Sequence, residues 1–109
     1  MDVFEALAAP TRREIVELLA SKGQLSASDI CAQFEVSPPA ISQHLKVLRE
    51  AQLVEVEIRG QQRMYRIDPQ GIEEIDQWSQ KMTRLWNKRF DALERVLMNE
   101  TKRNHKKGH

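Results

Sequence analysis

A single cysteine, Cys31, is all the thiol chemistry available to this chain of 109 residues. An intramolecular disulfide is therefore excluded, and the fold must hold without one. Aromatic residues are scarce, at 6%, which leaves little for a broad platform that stacks on sugars or bases. No apolar run approaches the roughly 20 residues that span a bilayer. The start, MDVFEALAAPTRREIVELL, lacks the basic segment and apolar core of a signal peptide. The expected compartment is the cytoplasm, with no membrane partner. Also missing are a Gly-rich phosphate loop, a nucleophile beside a base and a cluster of metal-binding side chains, so an enzyme has nothing to stand on.

Net charge is small too, at +1, but it is unevenly placed. In residues 99–109, Lys102, Arg103, Lys106 and Lys107 oppose Glu100 alone, giving +3 and leaving −2 for the rest. A nucleic-acid binder with this balance must concentrate its positive charge locally. The tail is expected to be mobile and to add nonspecific attraction to DNA, with His105 and His109 solvated. Residues 1–98 form the expected folded domain. A chain this short buries only about two-thirds of the surface it exposes when unfolded, so association with a second copy would help it.

What is present is a soluble pattern, 40% apolar and 30% charged. Val3–Ala9 is a short apolar-rich segment that needs something larger to pack on. After Pro10, TRREIVELLAS places Ile15, Leu18 and Leu19 on one helical face, with Gly23 as a C-terminal cap. Ser26 and Asp29 have the arrangement of a capping box ahead of a helix from about Ala27 to Phe34, with Ile30, Cys31 and Phe34 as its apolar face. Ser37 caps a further helix that opens with Pro38 and runs to about Ala51. LVEVEIR and QRMYRID then alternate around Gly60-Gln61. They read as a β-hairpin with Val54, Val56, Ile58, Tyr65 and Ile67 inward. From Asp68-Pro69 a last helix carries apolar residues at spacings of three or four to residue 98, roughly 40 Å at 1.5 Å per residue. That stripe is longer than so small a domain can cover, so part of it is expected to meet another chain. Three helices, a recognition helix, a two-stranded wing and a long final helix make a mainly α, winged helix-turn-helix fold.

The helix SPPAISQHLKVLREA buries Ile41, Leu45 and Leu48 along a narrow stripe. A 100° step per residue puts Pro39, Gln43, Lys46 and Val47 opposite, with Ser42, Arg49 and Ala40 on the flanks. This free face has almost no acid before Glu50, whereas an ordinary solvated face mixes both signs. Its groups suit double-stranded DNA. Gln43 can pair with an adenine edge, Pro39 or Ala40 can lie against a thymine methyl, and Ser37 with the helix N-terminus can hold a phosphate. Lys46 adds charge, and Arg59 and Arg63 flank Gly60 at the wing turn, within reach of backbone phosphate or the minor groove beside it. His44 borders the buried stripe, where packing and phosphate contact are equally open. Arg12 and Arg13 head a helix, which its dipole disfavours. They read as surface arginines before phosphate ligands.

In FEALAAPTRREIVELL, SPPAISQHLKVLREAQLV and GQQRMYRI the chain resembles the ArsR/SmtB winged-helix repressors of bacteria, from Phe4 to about Leu97. The resemblance implies a homodimer built from the first and last helices, with Phe4, Leu7, Trp78, Met82, Leu85 and Trp86 at its interface. It also implies two recognition helices in successive major grooves of an imperfect palindrome near a promoter, with half-sites about one helical turn apart. Metal sensors of the family often carry Glu-Leu-Cys-Val-Cys-Asp-Leu; the matching positions here are Gln24-Leu25-Ser26-Ala27-Ser28-Asp29-Ile30. Serine hydroxyls are poor ligands for zinc or softer ions. Between His44 and His105 there is no histidine for the family's second site, on the last helix. The expectation is a simple repressor or autorepressor with no metal and no cofactor. A ligand- or thiol-responsive repressor of the same fold, released by a small-molecule inducer, is the alternative. A winged-helix module that binds protein is the less favoured one, since the free face lacks the large apolar anchors of an interface.

Overall fold

A computed structural model describes the backbone of residues 1–107 and the side chains of residues 1–100. Its order is α1 (Val3–Leu7), α2 (Pro10–Lys22), β1 (Gln24–Ser26), α3 (Ala27–Ala32), α4 (Pro38–Glu50), β2 (Val54–Arg59), β3 (Gln62–Ile67) and α5 (Pro69–Lys107). Contacts divide the chain into a winged unit, Met1–Ile75, and a helical unit from Asp76 onward. Among the described residues no helix is long and apolar enough to cross a membrane.

Local chemistry accounts for each boundary in the winged unit. Asp2 Oδ1 accepts from the Glu5 amide at 2.8 Å and starts α1. Gly23 ends α2 at φ 86°, a left-handed conformation that a side chain rarely adopts, and its amide donates to the Leu19 carbonyl. Ser26 and Ser37 both extend and accept from the amide three residues on, at 3.1 Å and 3.3 Å, so α3 and α4 each begin on a serine cap. The end of α4 is closed by two bonds, Gln52 N–H to Arg49 O and Leu53 N–H to Leu48 O, around Gln52 at φ 61°. This is the Schellman geometry, with glutamine where glycine is usual. The Gly71 amide in α5 donates to the Gln52 carbonyl at 2.8 Å.

The core gathers residues from nearly every element: Val3 and Ala6 of α1, Ile15 and Leu19 of α2, Ile30 of α3, Ile41, Leu45 and Leu48 of α4, then Leu53, Val54 and Tyr65. The three α4 side chains are at most 2% exposed, and burial on this scale contributes roughly 1.5–3 kcal/mol for each. They fix which face of α4 remains free.

Four expectations change. The sheet has three antiparallel strands in the order β1-β3-β2, because Gln24–Ser26 pairs with β3 through Leu25 and Tyr65. Ile58 is 71% exposed although Val54 on the same face is buried, since the hairpin outruns the core beneath it. Val47 is half-buried and packs on the core, so it leaves the free side of α4. The α5 backbone passes the expected end near 98 and reaches Lys107. The side chains of the basic tail, and with them its expected mobility, lie outside the described residues.

In the helical unit, Trp78, Leu85, Trp86, Phe90, Leu93, Val96 and Leu97 are all at least half exposed, and Met82 is partly covered. In α1, Phe4 is exposed and Leu7 half-buried.

Candidate nucleic-acid interface

With Ile41, Leu45 and Leu48 buried, α4 presents Pro39, Ser42, Gln43 and Lys46 to solvent, with Ala40 partly covered beside them. The Ser37 oxygen is engaged by the Ala40 amide, which leaves its hydroxyl proton available to an outside acceptor. The first turn of α4 holds no acid, so the helix dipole favours an anion there, although Pro38 and Pro39 carry no amide N–H and the Ala40 and Ile41 amides are already bonded to Ser37.

The wing separates the two arginines that the sequence places together. Arg63 pairs with Ile58, and Tyr65 with Val56, on the hairpin face that leads back to the core. Arg59 pairs with Gln62 on the opposite face, alongside Glu57 and Glu55. There Arg59 donates to Glu57 at 3.1 Å, while Arg66 donates to Glu55 at 2.6 Å and to Glu57 at 3.1 Å. Glu57 is held below the ordinary carboxylate range, first by the hydrogen bond from Arg59, then by that arginine's charge and by Arg66. Glu55 raises the pKa of Arg66 further, through its hydrogen bond and its charge.

Arg63, by contrast, faces α4. Together with Ser42, Lys46, Arg49 and Tyr65 it lines a cleft of about 170 Å³ between the helix and β3. Arg49 and Tyr65 are absent from the sequence-derived site. The available signal was the i, i+4, i+7 spacing of Ser42, Lys46 and Arg49 along one flank; the approach of β3 to that flank has no local signature.

His44 is half-buried against α2, with Nδ1 at 3.4 Å from Nη1 of Arg12. Burial, and then the positive charge of Arg12, lower its pKa, so the ring is neutral at pH 7. The same guanidinium donates through Nε to the Ala6 carbonyl at 2.6 Å and through Nη2 to the Glu5 carbonyl at 3.3 Å. Arg12 thus stands unfavourably at the start of α2 but serves the C-terminal carbonyls of α1, where a cation is favoured. Arg13 is solvent-exposed.

These features have counterparts in known proteins. The profile of bacterial regulatory proteins of the arsR family matches residues 9–56, from α2 through the start of the wing. The HTH-type transcriptional regulator Rv2034 of Mycobacterium tuberculosis is 37% identical over 89% of this chain and 87% of its own length. The transcriptional repressor SdpR of Bacillus subtilis is 35% identical over 71% of this chain and 84% of its own. In three dimensions, an ArsR-like transcriptional regulator from Rhodococcus sp. RHA1 superposes with a TM-score of 0.74 at 30% identity, over 86% of this chain and 88% of that one. The chain belongs to the ArsR family of winged helix-turn-helix transcriptional regulators.

Proposed function

We propose that the chain is a homodimeric repressor that binds an imperfect palindromic operator near a promoter and carries no family-type metal site. The observation that carries this reading is the free face of α4. Gln43 and Lys46 stand exposed beside Pro39, Ala40 and Ser42 on a helix held by Ile41, Leu45 and Leu48, and a major groove about 12 Å wide admits one such helix. Gln43 reads a base edge, and Pro39 or Ala40 meets a thymine methyl. Ser37 and Lys46 hold phosphates, with Arg63 from the wing. His44 orients α4 against Arg12, and Arg59 reaches DNA only by leaving Glu57.

The dimer is supported by the exposed apolar stripe of α5, in which Leu85 and Trp86 are 51% and 64% exposed. Patches of this kind mark association surfaces. Phe4, Leu7, Trp78 and Met82 join them in the interface. The absence of the metal site is supported by Ser26, whose hydroxyl oxygen is committed to the α3 cap, and by Ser28, a hard and weak ligand at the second thiolate position.

A reporter fused to the chain's own upstream region tests the reading. Expression should rise when the chain is deleted, fall when it is restored, and respond to neither chelator nor added thiophilic metal. Unchanged expression on deletion would refute the repressor, and metal-dependent release would refute the metal-free assignment.

A further inference from the structure

We infer that the cleft between α4 and β3 is a subsite for one phosphate of the DNA backbone, held by Lys46, Arg49 and Arg63 with the Ser42 hydroxyl. The inference rests on the DNA-binding reading of α4 and adds Arg49, which that reading does not use.

Three cations and no carboxylate line the cleft. None of the three makes an ion pair among the described residues, although Glu55 and Glu57 lie on the same hairpin. Those acids are on the other hairpin face, already engaged by Arg59 and Arg66. Like charges gathered around one hollow repel each other, and an anion seated among them relieves the repulsion. A volume of about 170 Å³ is below the roughly 300 Å³ at which small-molecule sites begin. It still has room for a few waters, at about 30 Å³ each, or an anion in their place. Arginine forks match phosphate oxygens in bidentate geometry. The source of the phosphate follows from position: Ser42 and Lys46 belong both to the cleft and to the exposed face of α4. A strand passing the reading helix therefore brings its backbone to this point. Because β3 supplies Arg63, one phosphate ties the wing to the recognition helix and fixes how deeply α4 sits in the groove.

The test compares the full chain with Arg49→Gln, Arg49→Lys, Arg63→Gln and the Arg49→Gln/Arg63→Gln double variant, titrating its own upstream duplex and a random-sequence duplex across a range of salt. Each glutamine variant should weaken binding about three- to tenfold on both duplexes and reduce the log–log salt slope of the dimer by about two, one for each protomer's phosphate. Arg49→Lys should keep the slope, and the double variant should lose little more than either single, because both cations serve the same phosphate. An unchanged slope in Arg49→Gln and Arg63→Gln, with wild-type melting curves, overturns the subsite. Additive slope losses overturn the single shared phosphate. Inorganic phosphate at constant ionic strength is the second arm. If it binds the wild-type chain tightly while Arg49→Gln leaves the DNA slope intact, the cleft serves a free anion and the assignment is wrong. A wild-type chain with no preference for the upstream duplex would defeat the repressor reading, yet the slopes on random DNA would still decide the subsite.

Discussion

The guanidinium of Arg12 lies 3.4 Å from Nδ1 of His44 and 2.6 Å from the carbonyl of Ala6, so one side chain joins α1, α2 and α4. Its removal should therefore be felt both in stability and in the recognition helix. Arg12→Gln should cost about 1–2 kcal/mol in a denaturant melt, since it strips charged hydrogen bonds from the end of α1. It should also raise the pKa of His44 toward the ordinary imidazole value, read by NMR titration of the ring protons. An unmoved His44 would mean that burial alone sets its proton affinity.

The lowered pKa of His44 has a defined sign for stability. The folded chain disfavours the imidazolium, so its contribution is complete above the unfolded value of about 6.5 and is lost as pH falls through it toward the lower folded value. Wild-type stability should decline from pH 7 toward pH 5 more steeply than that of His44→Gln. Parallel curves would assign the decline to other groups.

Gln52 and Gly71 make opposite demands at the junction of α4 and α5. Gln52 occupies φ 61° with a side chain, so Gln52→Gly should stabilise the chain by about 0.5–1 kcal/mol. A Cβ at Gly71 would come within 2.5 Å of the Gln52 carbonyl oxygen and 2.9 Å of Leu53. Backbone cannot yield as a flexible side chain can, and Gly71→Ala should cost about 1–3 kcal/mol. Thermal melts at one fixed protein concentration check both, because under the proposed dimer the midpoint depends on concentration.

The α5 stripe gives a prediction about assembly. Trp86 is 64% exposed in the single chain, so Trp86→Glu should leave the winged unit folded by circular dichroism while sedimentation shifts from dimer to monomer. A dimer that survives the substitution would place the interface elsewhere.

Much of this architecture could be read from short-range chemistry. Ser37-Pro38 and Asp68-Pro69 mark helix starts, and Ile41, Leu45 and Leu48 determine the free face of α4 without reference to the rest of the chain. What escaped depends on residues distant in sequence. Gln24-Leu25-Ser26 has no alternation long enough to signal a strand and becomes one by pairing with Arg66, Tyr65 and Met64. Ile58 obeys the alternation, but the core ends before reaching it. Arg12 contradicts the dipole of its own helix because it serves another. Arg49 joins the candidate site only when the wing folds back and sets Arg63 and Tyr65 opposite it; Arg59, four residues before Arg63, is carried to the other face by strand parity.

Direct reading of sequence by α4 is tested most sharply by equilibrium binding of the wild-type chain and Gln43→Ala to the chain's own upstream duplex and to a shuffled duplex, at physiological salt. The wild type should prefer the upstream duplex by about 10³-fold or more, and Gln43→Ala should reduce that preference about tenfold while leaving the shuffled duplex nearly unaffected. Equal wild-type affinity for the two duplexes would contradict a sequence-reading role for α4.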